Sequence, residues 1–298
     1  MKTLMNFTSY EEDLNRYHST EDLRRFYQQF GCSGLELMPV DKSPDAFSSR
    51  MQPDMILGIH TCSIADWMNL DTESVVEHYR KDLEYARKVG AEYVVFHVTQ
   101  VSFQESLTYI PEHSDEEVID CACQLINLLL DGQDYDFYFL MENLWWPGLN
   151  LKDPAITRRL LDNVHYEKKG LMLDTGHLLH TNLNLRSQKE AVLYLKKILN
   201  EHKEFYPFIK GIHLQQSLTG EYVQEFIKNP PSPKADPDEL FAQAFEHIFR
   251  IDRHLPFTAP GIKELVEEIA PLYLTYEYIT SDRKQHEQYL REGSRIFL

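Results

Sequence analysis

Six short apolar runs in this chain each stop on a residue able to bind a metal, and this repeated ending limits the fold more than any bulk property does. Ile56-Leu57-Gly58-Ile59 stops on His60, and Tyr93-Val94-Val95-Phe96 stops on His97. Residues 137–141 stop on Glu142, 170–173 on Asp174, 208–212 on His213 and 272–276 on Glu277. One such ending is ordinary; six exceed chance. Runs that are apolar on both faces read as strands of a parallel sheet covered by helices.

The intervening stretches read as those helices. Ser19-Thr20-Glu21-Asp22 joins a hydroxyl cap to acids in the first turn, and Leu23, Phe26, Tyr27 and Phe30 follow at helical spacing before Gly31. Asp71 and Ser114 open longer helices, running through Arg87 and Leu130. Shorter patterns cover 153–161, 187–199 and 261–269, and a closing helix starts at Asp282. Adding the opening run at 3–7 and Gly34-Leu35-Glu36-Leu37-Met38 gives eight strands alternating with helices. That count predicts an α/β fold, a (β/α)8 barrel spanning residues 1–298 as one domain. The rhythm breaks at about 217–250, where Pro230, Pro231, Pro233 and Pro237 mark an irregular insertion ending in a helix over 238–248.

In such a barrel the carboxyl ends of all strands face one mouth. His60, His97, Glu142, Asp174, His213 and Glu277 therefore converge, and His177, Asp252 and His254 lie on loops at the same end. Imidazoles and carboxylates without thiolates suit divalent zinc, manganese, cobalt or iron(II). Glu36, alone among apolar neighbours, reads as a barrel-interior acid facing the site. Trp145 and Trp146 read either as core or as a platform for a sugar ring or base. His18, His78, His113, His165, His180, His202, His247 and His286 read as solvated or hydrogen-bonded side chains.

Bulk properties narrow the partners. Asp plus Glu number 47 against 30 Lys plus Arg, a formal charge of −17 that repels polyanions. No run approaches the roughly 18 apolar residues of a membrane span, and the first residues lack a signal peptide's apolar core. A cytoplasmic protein is expected, with Cys32, Cys62, Cys121 and Cys123 reduced.

Glu142-Asn143, Asp174-Thr175-Gly176-His177, Gly211-Ile212-His213 and Tyr276-Glu277 carry a resemblance across essentially the whole chain. The set resembles the superfamily of xylose-isomerase-like barrels, which holds sugar isomerases and epimerases, inosose dehydratases and zinc-dependent apurinic-site endonucleases. That resemblance implies one divalent metal on Glu142, Asp174, His213 and Glu277. It also implies that the two glutamates act as acid and base on opposite faces of a substrate carbon, and that His177 contacts the substrate. The chain is similar to the endonuclease branch at more positions. There the resemblance implies a three-zinc cluster that adds His60, His97, His177, Asp252 and His254, with Glu142 as a bridge. Two departures stand out. The stretch from His213 to Asp252 is longer than in that branch, and Ser217, Leu218 and Thr219 stand where the epimerases place an arginine.

The first expectation is a metal-dependent isomerase or epimerase of a sugar, sugar phosphate or polyol, in which Glu142 and Glu277 move protons. The alternative is a zinc-dependent phosphoesterase. A barrel that only binds a sugar-like molecule is the third reading. The expected cofactor is zinc or manganese, one to three ions. Trp145, Trp146, Glu36 and His177 are the expected contacts to a small carbohydrate-like substrate. Nucleic acid and membrane are disfavoured, and a homo-oligomer is compatible with the sequence.

Overall fold

The computed structural model describes residues 1–40 and 50–297. Strand β1 (Lys2–Thr8) leads through helices α1 (Glu11–Leu14) and α2 (Thr20–Gln28) into β2 (Gly34–Met38). After β3 (Ile56–His60) come α3 (Thr72–Val89), β4 (Tyr93–His97), α4 (Phe103–Thr108) and α5 (Asp115–Leu130). Next are β5 (Tyr138–Glu142), α6 (Pro154–Asn163), β6 (Lys169–Asp174), α7 (Thr175–His180) and α8 (Gln188–Glu201). The chain closes with β7 (Ile209–Leu214), α9 (Gly220–Lys228), α10 (Pro237–Ile251), α11 (Ile262–Ile269), β8 (Tyr273–Tyr276) and α12 (Arg283–Ser294). All neighbouring strands pair in parallel, and β8 pairs with β1 to close the barrel.

Strand periodicity decides what faces inward. Side chains alternate between faces, so Tyr93, Val95 and His97 of β4 share the inner face, as do Tyr138, Leu140 and Glu142 of β5. The lower inward positions are apolar: Leu4, Tyr93, Val95, Leu140, Met172 and Tyr273 form a buried cluster of their own. Gly58 makes room for it, because a Cβ there would lie 2.2 Å from Cζ of Tyr93. Toward the carboxyl ends of β3 to β7 the inward positions turn polar, at His60, His97, Glu142, Asp174 and His213. Register then sets His97 level with Glu142, and Asp174 level with His213.

The outer layer forms where the capping residues indicate. Asp71 accepts from the Ser74 amide, and Ser114 and Ser187 close capping boxes with Glu117 and Glu190. Three departures from the sequence expectation follow from local chemistry. Gly170 lies inside β6 and does not mark its start. His177 sits in the first turn of α7, because Asp174 caps that helix by accepting from the His177 amide at 2.6 Å. The segment at 217–250 holds α9 as well as α10; α9 starts on Gly220 with no side-chain cap, so no start signal marks it. Phe103 of α4 packs against Phe241 and Phe245 of α10, which fastens the insertion beside the barrel mouth. Among the described residues no helix is long and apolar enough to cross a membrane.

Candidate metal centre

Five strands end in His60, His97, Glu142, Asp174 and His213; with Glu277 just past β8, His177 in the first turn of α7, and Asp252 and His254 in the loop after α10, they bring the predicted ligands together. The side-chain donor atoms fall into groups whose members lie within 4.8 Å of one another. The groups are His60–His97–Glu142, Glu142–Asp174–His213–Glu277 and His177–Asp252–His254, with His60 also reaching His213 and Glu277. Each such group could hold an ion, and Glu142 belongs to two of them. Its Oε2 lies 3.2 Å from Nε2 of both His60 and His97, and its Oε1 lies 2.9 Å from Nδ1 of His213.

Proton placement on the imidazoles decides what these contacts mean. A carbonyl can only accept, so a ring nitrogen beside one must carry the proton. Nδ1 of His60 donates to the Thr61 carbonyl at 3.0 Å, Nδ1 of His177 to the Asn143 carbonyl at 2.9 Å, and Nδ1 of His254 to the Glu277 carbonyl at 3.1 Å. In a neutral ring Nε2 is then a bare lone pair. Yet Nε2 of His177 and of His254 lie 3.1 and 2.7 Å from one oxygen of Asp252. Lone pairs of nitrogen and carboxylate repel unless a proton or a cation stands between them. Buried Oε2 atoms of Glu142 and Glu277 likewise have no hydrogen-bond partner among the described residues. The donor set therefore fits a bound cation at each group, with the second nitrogen of His60, His177 and His254 fixed by the backbone and that of His97 by the Ser63 hydroxyl at 2.7 Å.

His213 is turned the other way. Its Nδ1 faces Glu142, Glu277 at 3.4 Å and Asp174 at 3.8 Å, while Nε2 lies 2.8 Å from Glu36. That last approach is too bent for a hydrogen bond, so Glu36 acts on the ring through charge. Tyr93 and Thr275 donate to the other oxygen of Glu36 at 2.6 and 2.8 Å, which seals it behind His213.

Among the described residues no lysine or arginine pairs with these five carboxylates. Without a metal, protons supply the positive charge. Burial disfavours a charged His60, but the Glu142 carboxylate 3.2 Å away and the charges of Glu36 and Glu277 hold it up to about 9. Burial opposes His254 in the same way, and Asp252 and Glu277 hold it up to about 9. Burial raises Glu277 to about 8 against the pull of His213 and His254. Burial would raise Glu142 too, yet His213, His97 and His60 keep it well below its ordinary value.

A pH dependence follows. The folded, metal-free protein keeps protons on His60 and His254 that the unfolded chain releases above 6.5, and on Glu277 one released above 4.5. Below 6.5 the opposite sign prevails, because burial keeps His97, His202, His247 and His286 neutral; between 6.5 and about 9 folded protein binds more protons than unfolded, so its stability falls as pH rises through that window. Metal replaces those protons, so loaded protein is expected to lack the fall. Thermal unfolding of chelated and zinc-loaded protein at pH 6.5 and pH 9 checks this; a metal-free melting temperature that rises with pH contradicts it.

Side chains beyond the ligands complete the centre, and of these Gln215 carried no sequence signal. Gln215 Nε2 donates to Asp174 Oδ1 at 3.0 Å and to Asp252 Oδ1 at 3.1 Å, tying two ligand groups together. Gly176 leaves room for it, since a Cβ there would lie 2.0 Å from the Gln215 amide oxygen. Asn143 donates to the Asp174 carbonyl and accepts from its amide. His180, expected to be only a bonded bystander, sets Nε2 3.3 Å from Asp252 Oδ1. The ring of Trp145 lies 5.2 Å from His177 and 4.7 Å from His180, and Trp146 is buried behind it.

Known structures of low identity share the whole fold. Endonuclease IV from Thermus thermophilus superposes with a TM-score of 0.58 at 14% identity, covering 100% of this chain and 99% of that one. The IOLI protein with a binding zinc atom gives 0.59 at 14% identity, covering 100% and 96%. A sugar phosphate isomerase/epimerase from Parabacteroides distasonis gives 0.52 at 14% identity, covering 99% and 92%. No curated protein matches the sequence. The family model described as xylose isomerase-like TIM barrel matches residues 24–297, and the chain belongs to that family.

Proposed function

We propose that this chain is a metal-dependent phosphoesterase acting on a small carbohydrate-like phosphoester, with up to three divalent ions, zinc foremost. One observation carries the reading: the two Nε2 atoms of His177 and His254 meet a single oxygen of Asp252, with both Nδ1 protons committed to carbonyls. This third group has no work in a one-metal isomerase. Next to the four-ligand group and the His60–His97 pair it completes a site for several ions. Histidine and carboxylate donors without thiolates suit zinc. The similar structures called endonuclease IV and the zinc-binding IOLI protein support the same reading.

Bound ions would polarise phosphoryl oxygens and acidify a water. The chain's own side chains prepare the place. Glu142 offers one oxygen to each of two groups, so it fixes their spacing. Gln215 donates to Oδ1 of both Asp174 and Asp252, with a longer bond of 3.3 Å to Asp174 Oδ2, and so holds the two carboxylates in place. Glu36 holds His213 with Nδ1 turned inward; it is a positioning residue here and does not touch substrate. The mouth opens beside His97 and His60, whose side chains are 20% and 11% exposed, while Glu142 is fully buried.

The expected isomerase or epimerase stays as a second reading, because Glu142 and Glu277 both face Nδ1 of His213 and could flank one substrate carbon at a single metal. Elemental analysis together with turnover of bis(p-nitrophenyl) phosphate and of a ketose panel separates the two. Two or three ions with phosphoester cleavage uphold the proposal; one ion with ketose epimerisation replaces it.

A further inference from the structure

A cavity of about 450 Å³ lies at the same end of the barrel as the ligand groups, and no metal ligand lines it. Its walls come from the segments after β4, β5, β6 and β7, and include Tyr109, Trp145, Trp146, His180, Val223 and Ile251. The volume falls within the roughly 300–1,000 Å³ of small-molecule sites. Only the Trp145–His180 layer separates it from the third group: His180 touches Asp252, and Trp145 lies against His177.

We infer that this cavity binds a flat aromatic or heteroaromatic ring belonging to the substrate whose phosphoryl end sits at the ligand groups; the inference rests on the phosphoesterase reading. Three observations point to a ring. Trp145 and Trp146 stand with centroids 5.6 Å apart at 40°, and Tyr109 meets Trp146 at 5.3 Å and 48°, so aromatic faces make a corner. Val223, Ile251 and Pro147 complete it with apolar surface. The acids in the lining are already occupied: Glu105 accepts from the Ser102 and Glu112 amides, and Asp115 from the Gly148 amide and the Asn150 side chain. They are not free to hold a cation. By contrast, Trp145 Nε1 and His113 Nε2 are buried without a hydrogen-bond partner among the described residues. An indole N–H can only donate, so it calls for an acceptor such as a ring nitrogen or carbonyl. A nucleobase or similar heterocycle carries both the face and the acceptors. Helices α9 and α10 supply Val223 and Ile251, which assigns the long insertion a role: it closes one wall of the compartment.

Two of the chain's three tryptophans line the cavity, so binding is read by tryptophan fluorescence. Adenosine 5′-monophosphate is compared with ribose 5-phosphate, which lacks only the ring, and adenosine is titrated into chelated protein. The monophosphate is expected to bind about 10-fold tighter than ribose 5-phosphate, as stacking one base warrants. Adenosine should change the emission even without metal. Leu183→Trp places bulk at the half-buried rim of the cavity and should abolish adenosine binding while phosphate release from ribose 5-phosphate, which has no aromatic ring, persists. Val223→Phe from the other wall gives an independent check should one variant fold poorly. Equal affinity for the two phosphates, or adenosine binding unchanged in both folded variants, overturns the inference. Adenosine binding in a protein that cleaves no phosphoester upholds the ring site and overturns the phosphoesterase reading alone.

Discussion

Glu142→Gln is expected to reduce metal content and turnover together, with bound zinc falling by at least one ion per chain and turnover by at least about 10²-fold. The carboxylate serves two groups at once: Oε1 faces His213 and Oε2 faces the His60–His97 pair. Glutamine keeps the volume and one ligating oxygen, but its amide nitrogen must face one of the two groups with hydrogens. A cation cannot sit there. Zinc content and turnover measured on one preparation test this directly. Full metal with greatly reduced turnover favours Glu142 as an isomerase base, while full metal with near-normal turnover shows that it is neither base nor bridge.

The part of this centre legible in sequence was the part built on strands. An apolar strand that ends at a barrel mouth must change to polar where the core stops, so His60, His97, Glu142, Asp174, His213 and Glu277 announced themselves. Asp252 and His254 lie after α9 and α10, beyond a stretch without strand rhythm, so the sequence offers them only as loop candidates at the mouth and the family resemblance alone gives them a ligand role. Gln215 gave no signal because Gln216 beside it is chemically identical, and only the fold turns the first toward two carboxylates. Glu36 was conspicuous as an acid among apolar residues, but its partner His213 is 177 positions away and the contact exists only once the barrel closes. Helix α4 had a legible capping box at Ser102 and Glu105, yet six residues hold too little apolar periodicity to be read as a helix. Helix α7 hid for a related reason: its cap is Asp174, which also ends a strand.

Asp252→Asn is expected to remove one ion per chain and lower phosphoester turnover by at least about 10²-fold, the upper end of what losing a supporting partner alone costs at a metal site. The substitution is unusually clean. Asp252 Oδ1 accepts from Gln215, and an asparagine carbonyl at that place would accept the same bond. The amide nitrogen then replaces Oδ2, where Nε2 of His177 and of His254 present lone pairs at 3.1 and 2.7 Å. Two N–H groups would meet two acceptors, so the group is satisfied without a cation. Metal-free Asp252→Asn is therefore expected to melt no lower than the metal-free parent, although the loaded variant loses the stabilisation that binding a third ion supplies. The four-ligand group of Glu142, Asp174, His213 and Glu277 is left whole, and that asymmetry separates the chemistries. An isomerase working at that group alone would keep its ketose turnover in Asp252→Asn. A phosphoesterase that needs the third group would not keep its turnover. Equal zinc content in variant and parent would show that His177, Asp252 and His254 hold no ion, and the proposed function would fall with that result.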